Sequence, residues 1–353
     1  MITIIIIIII SIILLFFTIY FFTKPKVYVP TNVEKYFIYD VFQNDNEELI
    51  VVCAPEILPP FKMYYINNEN QENEMKIILC PQNHTLIYKH KMENYYPEVN
   101  LKIDNHILTL QCNKYPVFKN EIIMNTIVKD EDDYVIQWIK YHMVLGIKRY
   151  IIYDNSHSNT LQYVLRKYIR DGTVVLIQWR YTYTLPTTGH SGQTTSENHS
   201  IYAFQTCKYI GFFDVDEYIN PQTDIIDIND FLKDVITVNN ISVNNIACFV
   251  FSCKIFKNVK KQPTDGYKFL DIYDCGNILT KFREKSFCIP RNTEIFSIHV
   301  TVSGGQTNFY IDQTKCYFNH YVFLNKPPEI DRMPSENVDQ IDDSVKRIVS
   351  MIP

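Results

Sequence analysis

Glycine is scarce, with 9 in 353 residues, and that scarcity excludes a class of sites. Phosphate-cradling loops need glycine where the backbone closes on the ligand, and neither GxGxxG nor GxxxxGK[ST] occurs. No basic stripe is present and the formal net charge is −5, so no nucleic-acid partner is expected. The nine cysteines lack CxxC spacing, which disfavours a zinc site. Charged residues are 21% and hydrophobic ones 46%. That balance is against wholesale disorder and allows a large core. The length suits one large or two modest domains.

What is present begins at the N-terminus. Residues 4–22 read IIIIIIISIILLFFTIYFF without a charge, long enough for a bilayer-spanning helix. A signal peptide would need a small-residue cleavage site, but Thr23, Lys24, Pro25 and Lys26 follow, so residues 1–23 are expected to be an uncleaved transmembrane anchor. Lys24 and Lys26 alone would keep the body cytosolic. Three acceptor sequons (Asn83-His-Thr85, Asn198-His-Ser200 and Asn240-Ile-Ser242) and the cysteines point to the lumen. The expectation is a single-pass membrane protein with its catalytic body facing the Golgi or ER lumen. The cysteines either pair as disulfides there or are buried small apolar side chains.

Residues 24–48 read as a stem. Residues 49–118 carry short strand-like runs between Pro and Asn clusters and predict a small β-rich subdomain. From 119 to 325 the pattern changes to strands alternating with helices. Ile122–Val128, Arg149–Tyr153, Thr173–Trp179 and Tyr209–Phe213 are predicted strands. An acidic start at Asp130–Asp133 opens a helix ending at Gly146, Thr160–Arg170 reads as a second, and Glu197–Cys207 as a third after a polar loop over 182–196. This alternation implies an α/β, mostly parallel, Rossmann-like sheet flanked by helices. Residues 326–353 form a C-terminal tail with a helix over Asn337–Met351.

Ligands in such sheets bind at the carboxyl ends of strands. Acidic or amide groups stand at three of them: Asp130/Glu131, Asp154/Asn155 and Asp214/Asp216. Phe213-Asp214-Val215-Asp216-Glu217-Tyr218 is the strongest feature. On an extended chain, Asp214 and Asp216 share one face and could grip one hard divalent cation together with substrate phosphates. Such a cation offsets the charge of a departing nucleoside diphosphate. A haloacid-type phosphatase would want Thr where Tyr218 stands. Asp154 and Asn155 could bind ribose or base, or Asn155-Ser156 could be a turn. His142 and Trp138 read as packed core residues. His299 and His320 are candidate third metal ligands. Lys281, Arg283, Lys285 and Arg291 could face diphosphate or water.

Three blocks carry a resemblance. The first is Lys129-Asp-Glu131-Asp-Asp-Tyr134-Val-Ile-Gln137-Trp138-Ile-Lys-Tyr141-His142-Met-Val-Leu-Gly146, continuing through Tyr150-Ile-Ile-Tyr-Asp154-Asn155-Ser156. The second is Cys207-Lys-Tyr-Ile-Gly211-Phe-Phe-Asp214-Val-Asp216-Glu217-Tyr218-Ile-Asn-Pro221. The third is Lys285-Ser286 with Pro290, His299 and His320-Tyr321. Over about residues 120–325 the chain resembles glycosyltransferase family 92 and its relatives of the GT-A fold. Gln137 departs from the family's usual Glu before the Trp. The resemblance implies an inverting transferase that uses a nucleotide sugar, often UDP-galactose, with a glycan acceptor and a divalent metal such as Mn2+. It places Asp214 and Asp216 on the metal, with His320 and then His299 as third ligand. Glu131, Asp154 and Asn155 would lie along the nucleotide pocket, where Lys285 of the basic cluster is a further cofactor-binding candidate, and Glu217 or Glu284 would be the general base. Two other classes remain open in the sequence: a silent glycan-binding scaffold on the same fold and a metal-dependent phosphohydrolase.

Overall fold

The computed structural model describes residues 26–54, 61–80, 85–130, 132–183, 191–257, 269–271, 273–279, 283–304, 307–322 and 340–352. The anchor expected over 1–23 lies outside them. Among the described residues no helix is long and apolar enough to cross a membrane.

The fold is mixed α/β, centred on a twelve-stranded sheet. Ile122–Val128 (β1) leads through Asp132–Val144 (α1) to Arg149–Asp154 (β2), then through two short helices to Val174–Gln178 (β3). Helix Ser191–Ala203 (α2) returns the chain to Tyr209–Phe212 (β4). All four strands are parallel, with β2 and β3 added on one side of β1 and β4 on the other. The order 3-2-1-4 reverses between β1 and β4, the position at which sheets of this kind place ligands, at the carboxyl ends of the strands.

These strands read as unbroken apolar runs because both faces are covered. Met124, Tyr150, Ile152 and Leu176 face the core that holds α1, and Ile123, Ile151, Tyr153 and Ile177 face the core that holds α2. On β4, a Cβ at Gly211 would sit 2.5 Å from the Phe287 ring and 2.7 Å from the Met124 sulfur. Only glycine lets the sheet close there.

The second half adds Glu217–Pro221 (β5), Ile228–Val238 (α3), Ile246–Lys257 (β6), Lys285–Cys288 (β7) and Cys316–Val322 (β8). Asp227 caps α3, accepting from the Asn229 and Asp230 N–H groups. β7 lies antiparallel between β4 and β6. β8 runs parallel to β6 and antiparallel to β5.

The N-terminal region forms two four-stranded antiparallel sheets stacked on a core that includes Val41, Leu49, Val51, Leu86 and Leu101. The back of the first sheet, with Phe42, Ile50, Val52 and Ile87, packs toward α2. Helix α2 is therefore wedged between two sheets. A buried polar clasp joins them. Asp40 Oδ2 accepts from His199 Nε2 at 2.9 Å and from the Tyr115 hydroxyl at 2.6 Å. Its Oδ1 accepts from the Thr31 and Val41 N–H groups and the Asn113 amide. The Tyr153 hydroxyl donates to His199 Nδ1 at 2.6 Å. Asp40 and His199 are fully buried, a state tolerable only with partners on every side.

Several expectations are corrected. The stem over 24–48 contains a buried strand, Ile38–Gln43, because the clasp provides for Asp40. The strand Val27–Tyr28 also pairs with β3. The helix over Thr160–Arg170 breaks at Leu165 into two single turns, although Leu161, Leu165 and Ile169 still bury one face. Helix α2 begins within the expected polar loop. The described part of the tail is no appendage. Gln340–Ile341 joins the sheet, only Lys346–Val349 is helical, and Val345 and Ile348 are fully buried. The eight cysteines with described side chains are free and buried, so for them the apolar alternative holds.

Candidate functional site

β4 ends at Phe212, and the chain then leaves the strand. The Glu217 N–H donates to the Asp214 carbonyl at 3.0 Å, closing a turn. The strand geometry that would put Asp214 and Asp216 on one face does not extend through this turn, and the two carboxylates have different partners. Asp214 Oδ2 accepts from Lys285 Nζ at 2.7 Å. Asp216 Oδ2 lies 3.5 Å from His320 Nε2. Glu217 sits between them. Its Oε2 accepts from the Asp214 N–H at 2.9 Å and lies 3.3 Å from Lys285 Nζ, while its Oε1 lies 3.7 Å from His320 Nδ1.

The antiparallel register of β5 on β8 sets Glu217 opposite His320. One ligand atom each from Asp216, Glu217 and His320 lies within 4.8 Å of the others. Asp214 and His299 are not in that group. His299 Nδ1 instead bonds the Glu284 carbonyl, and burial lowers the His299 pKa.

Burial disfavours the charged form of Asp216, but the His320 imidazole beside it holds the carboxyl below its ordinary range. Burial likewise disfavours the His320 imidazolium, yet Asp216 holds its pKa well above the usual value. Burial, with Asp214 and Asp216 assisting and Lys285 and His320 opposing, pushes Glu217 from 4.5 up to about 7. Lys285 would be lowered by burial, but Asp214 and Glu217 hold it charged. Lys285 is therefore neither a solvated surface cation nor a free phosphate-facing one. Of its expected companions, Arg291 is exposed and Lys281 lies outside the described residues.

A cleft of about 410 Å³ opens along the ends of β1, β2 and β3, lined by Lys129, Asn155, His157, Arg180, Tyr181 and Tyr183. The end of β2 is two strand spacings from β4, roughly 10 Å. The Asn155 side chain donates to the Trp179 and Tyr181 carbonyls, tying the ends of β2 and β3 together. Asp154 is buried, its Oδ1 accepts from the Ser156 N–H at 3.1 Å, and burial raises its pKa. Glu131 lies outside the described residues. His142 and Trp138 are core residues as expected: His142 Nδ1 donates to the Trp138 carbonyl at 2.9 Å and both side chains are fully buried.

The family model described as glycosyltransferase family 92 matches residues 121–349, more than half of the chain. The chain belongs to glycosyltransferase family 92. It is 24% identical over 211 residues to a family 92 protein of Ricinus communis, covering 58% of this chain and 36% of that one. It is 24% identical over 206 residues to one of Oryza sativa subsp. japonica, covering 56% and 32%. The chain thus spans about a third of the length of these curated relatives. A crystal structure of HddC from Yersinia pseudotuberculosis superposes over 56% of this chain and 92% of its own at 10% identity, with a TM-score of 0.33, too loosely to bear on the fold.

One residue of this family 92 chain escaped the sequence reading. Glu197 on α2 is buried, and its Oε2 has no hydrogen-bond partner among the described residues. Burial pushes its pKa from 4.5 to about 8, opposed by Lys285 and assisted by Asp214 and Glu217. The folded chain keeps a proton there that the unfolded chain releases. The associated stability is complete below the unfolded value and declines as pH rises toward 8. Glu197→Gln is expected to flatten that decline. Melting temperatures at about pH 5.5 and 8 check it, and equal losses in variant and wild type would overturn it.

Proposed function

We propose that this chain is a metal-dependent, inverting glycosyltransferase of the GT-A type that moves galactose from UDP-galactose to a glycan acceptor. The observation that carries the reading is the Asp216, Glu217 and His320 cluster, standing where the strand order reverses and beside a cleft that presents Lys129, His157 and Arg180. That is where a doubly wound sheet places a nucleotide. Family 92 membership supports the reaction class.

An imidazole with carboxylates suits a hard cation such as Mn2+. Asp216 and His320 would hold it, and the 31% exposure of the Asp216 side chain leaves the site open to a ligand. When bound, the cation would neutralise charge on the departing nucleoside diphosphate. The protein's own groups do the rest. Lys285 fixes Asp214, whose side chain is 37% exposed and can accept from donor hydroxyls. Lys129 and Arg180 offer positive charge to a diphosphate, and Tyr183 offers a ring to a base. Inversion needs a base for the acceptor hydroxyl. Glu217 is engaged on both oxygens, which leaves Glu284, half-buried and raised in pKa by burial.

Thermal shift against a panel of nucleotide sugars, with and without Mn2+, tests this. UDP-galactose with Mn2+ is expected to stabilise most, by about 2.7 kcal/mol at a hundredfold excess over Kd, and EDTA to remove the effect. Binding of neither UDP nor Mn2+ would sink the reading in favour of a silent glycan-binding scaffold. Phosphate release from simple esters would favour a phosphohydrolase.

A further inference from the structure

Burial separates the Asn-x-Ser/Thr triplets. Asn198 is fully buried in α2. Its amide donates to the Thr194 and Phe296 carbonyls, and its Oδ1 accepts from the Phe296 N–H. A saccharide on that nitrogen is incompatible with the folded chain. Asn83 lies outside the described residues.

Asn240 is different. It follows the end of α3 in an exposed turn, with a left-handed φ of 51°, a conformation asparagine tolerates. Ser242, the hydroxyl residue of the triplet, is exposed as well. The backbone here is fixed: the Asn240 N–H donates to the Thr237 carbonyl at 3.2 Å and the Ile241 N–H to Ile236 at 3.0 Å. Asn292 Nδ2 then ties down the Val243 and Ile246 carbonyls. The Asn240 side chain makes no hydrogen bond among the described residues.

Topology removes a further obstacle. The turn feeds the start of β6, and β6 runs parallel to β4 because both oppose β7. Asn240 therefore lies at the amino ends of the strands, opposite the candidate site at their carboxyl ends. Val238, two residues before, is 73% exposed, an apolar surface that the first sugar of a glycan would cover.

We propose that Asn240 is an N-glycan acceptor and that the body of the chain consequently lies on the lumenal side of the membrane system, independently of the catalytic reading. A bond forms between Asn240 Nδ2 and the anomeric carbon of an oligosaccharide carried on a polyprenyl diphosphate. The sugar–phosphate bond breaks, the polyprenyl diphosphate leaves, and the amide gives up one proton to the host transferase's base.

The full chain expressed in insect or mammalian cells, run on a gel before and after peptide N-glycosidase, tests this. Asn240→Gln and Ser242→Ala are each expected to lose one glycan step relative to wild type, whatever Asn83 contributes, while Ser200→Ala, which destroys the buried triplet, keeps it. Ser242→Ala retains the left-handed asparagine, so a strained turn in Asn240→Gln cannot mimic the result. Wild type unaffected by the glycosidase, or both variants co-migrating with it, would overturn the proposal.

Discussion

Asp216→Ala is expected to lower Mn2+-dependent sugar transfer by about 10²–10³-fold or more while leaving the melting temperature nearly unchanged. The side chain is 31% exposed and its partner is His320, so its removal leaves no deep cavity. The loss falls on the step in which charge develops on the leaving diphosphate. Initial rates at saturating Mn2+, read beside a thermal melt, separate catalysis from folding. Full activity in the variant, or in wild type with EDTA, would end the metal-dependent interpretation.

Lys285→Met acts on stability instead. Its ammonium is 4% exposed and answers Asp214 and the 1%-exposed Glu217, with the Glu197 carboxyl also within its field. Methionine fills similar space but takes the ammonium away from Asp214 and from the buried Glu217, a loss of about 3–5 kcal/mol for breaking a buried pair. Denaturant titration measures it. Adding Glu217→Gln should restore part of the loss, because the two groups are in contact and their effects do not add. Strict additivity would mean that Lys285 does not serve this cluster.

The parallel half of the sheet was legible in the sequence because strands buried on both faces appear as apolar runs, and their ends fall at Asp154 and Asp214. The C-terminal half of the site was less so. His320 reaches Glu217 through a strand pairing that no local pattern encodes, and only the chemistry of histidine marked it as a candidate. The turn after Phe212 was hidden for a similar reason: Phe213 to Asp216 keeps the alternation of a strand, while the Glu217 N–H and carboxylate both close on Asp214. Helix α2 was legible only in part. Ser191-Gly-Gln-Thr-Thr-Ser-Glu197 reads as a loop because helix recognition relies on an apolar stripe. This segment is packed between two sheets, where Gln193 accepts from the Tyr183 hydroxyl and the Ser196 hydroxyl donates to the Gln193 carbonyl, while Glu197 keeps an unpartnered oxygen among the described residues. The polar run itself, lying between apolar segments and ending in Glu197, was the available signal. Lys285 was placed near the site, but its role followed from burial, which a sequence does not state.

The stretch shared with family 92 starts at residue 121, whereas the carboxylate that answers His199 belongs to residue 40. A protein trimmed to the shared stretch would strip the Tyr115 and Phe118 rings from Phe204 and leave His199 without the carboxylate that accepts from it. Homology and foldability thus draw different borders on this molecule, and the smallest version that can hold Glu197 beside Lys285 has to begin before Thr31.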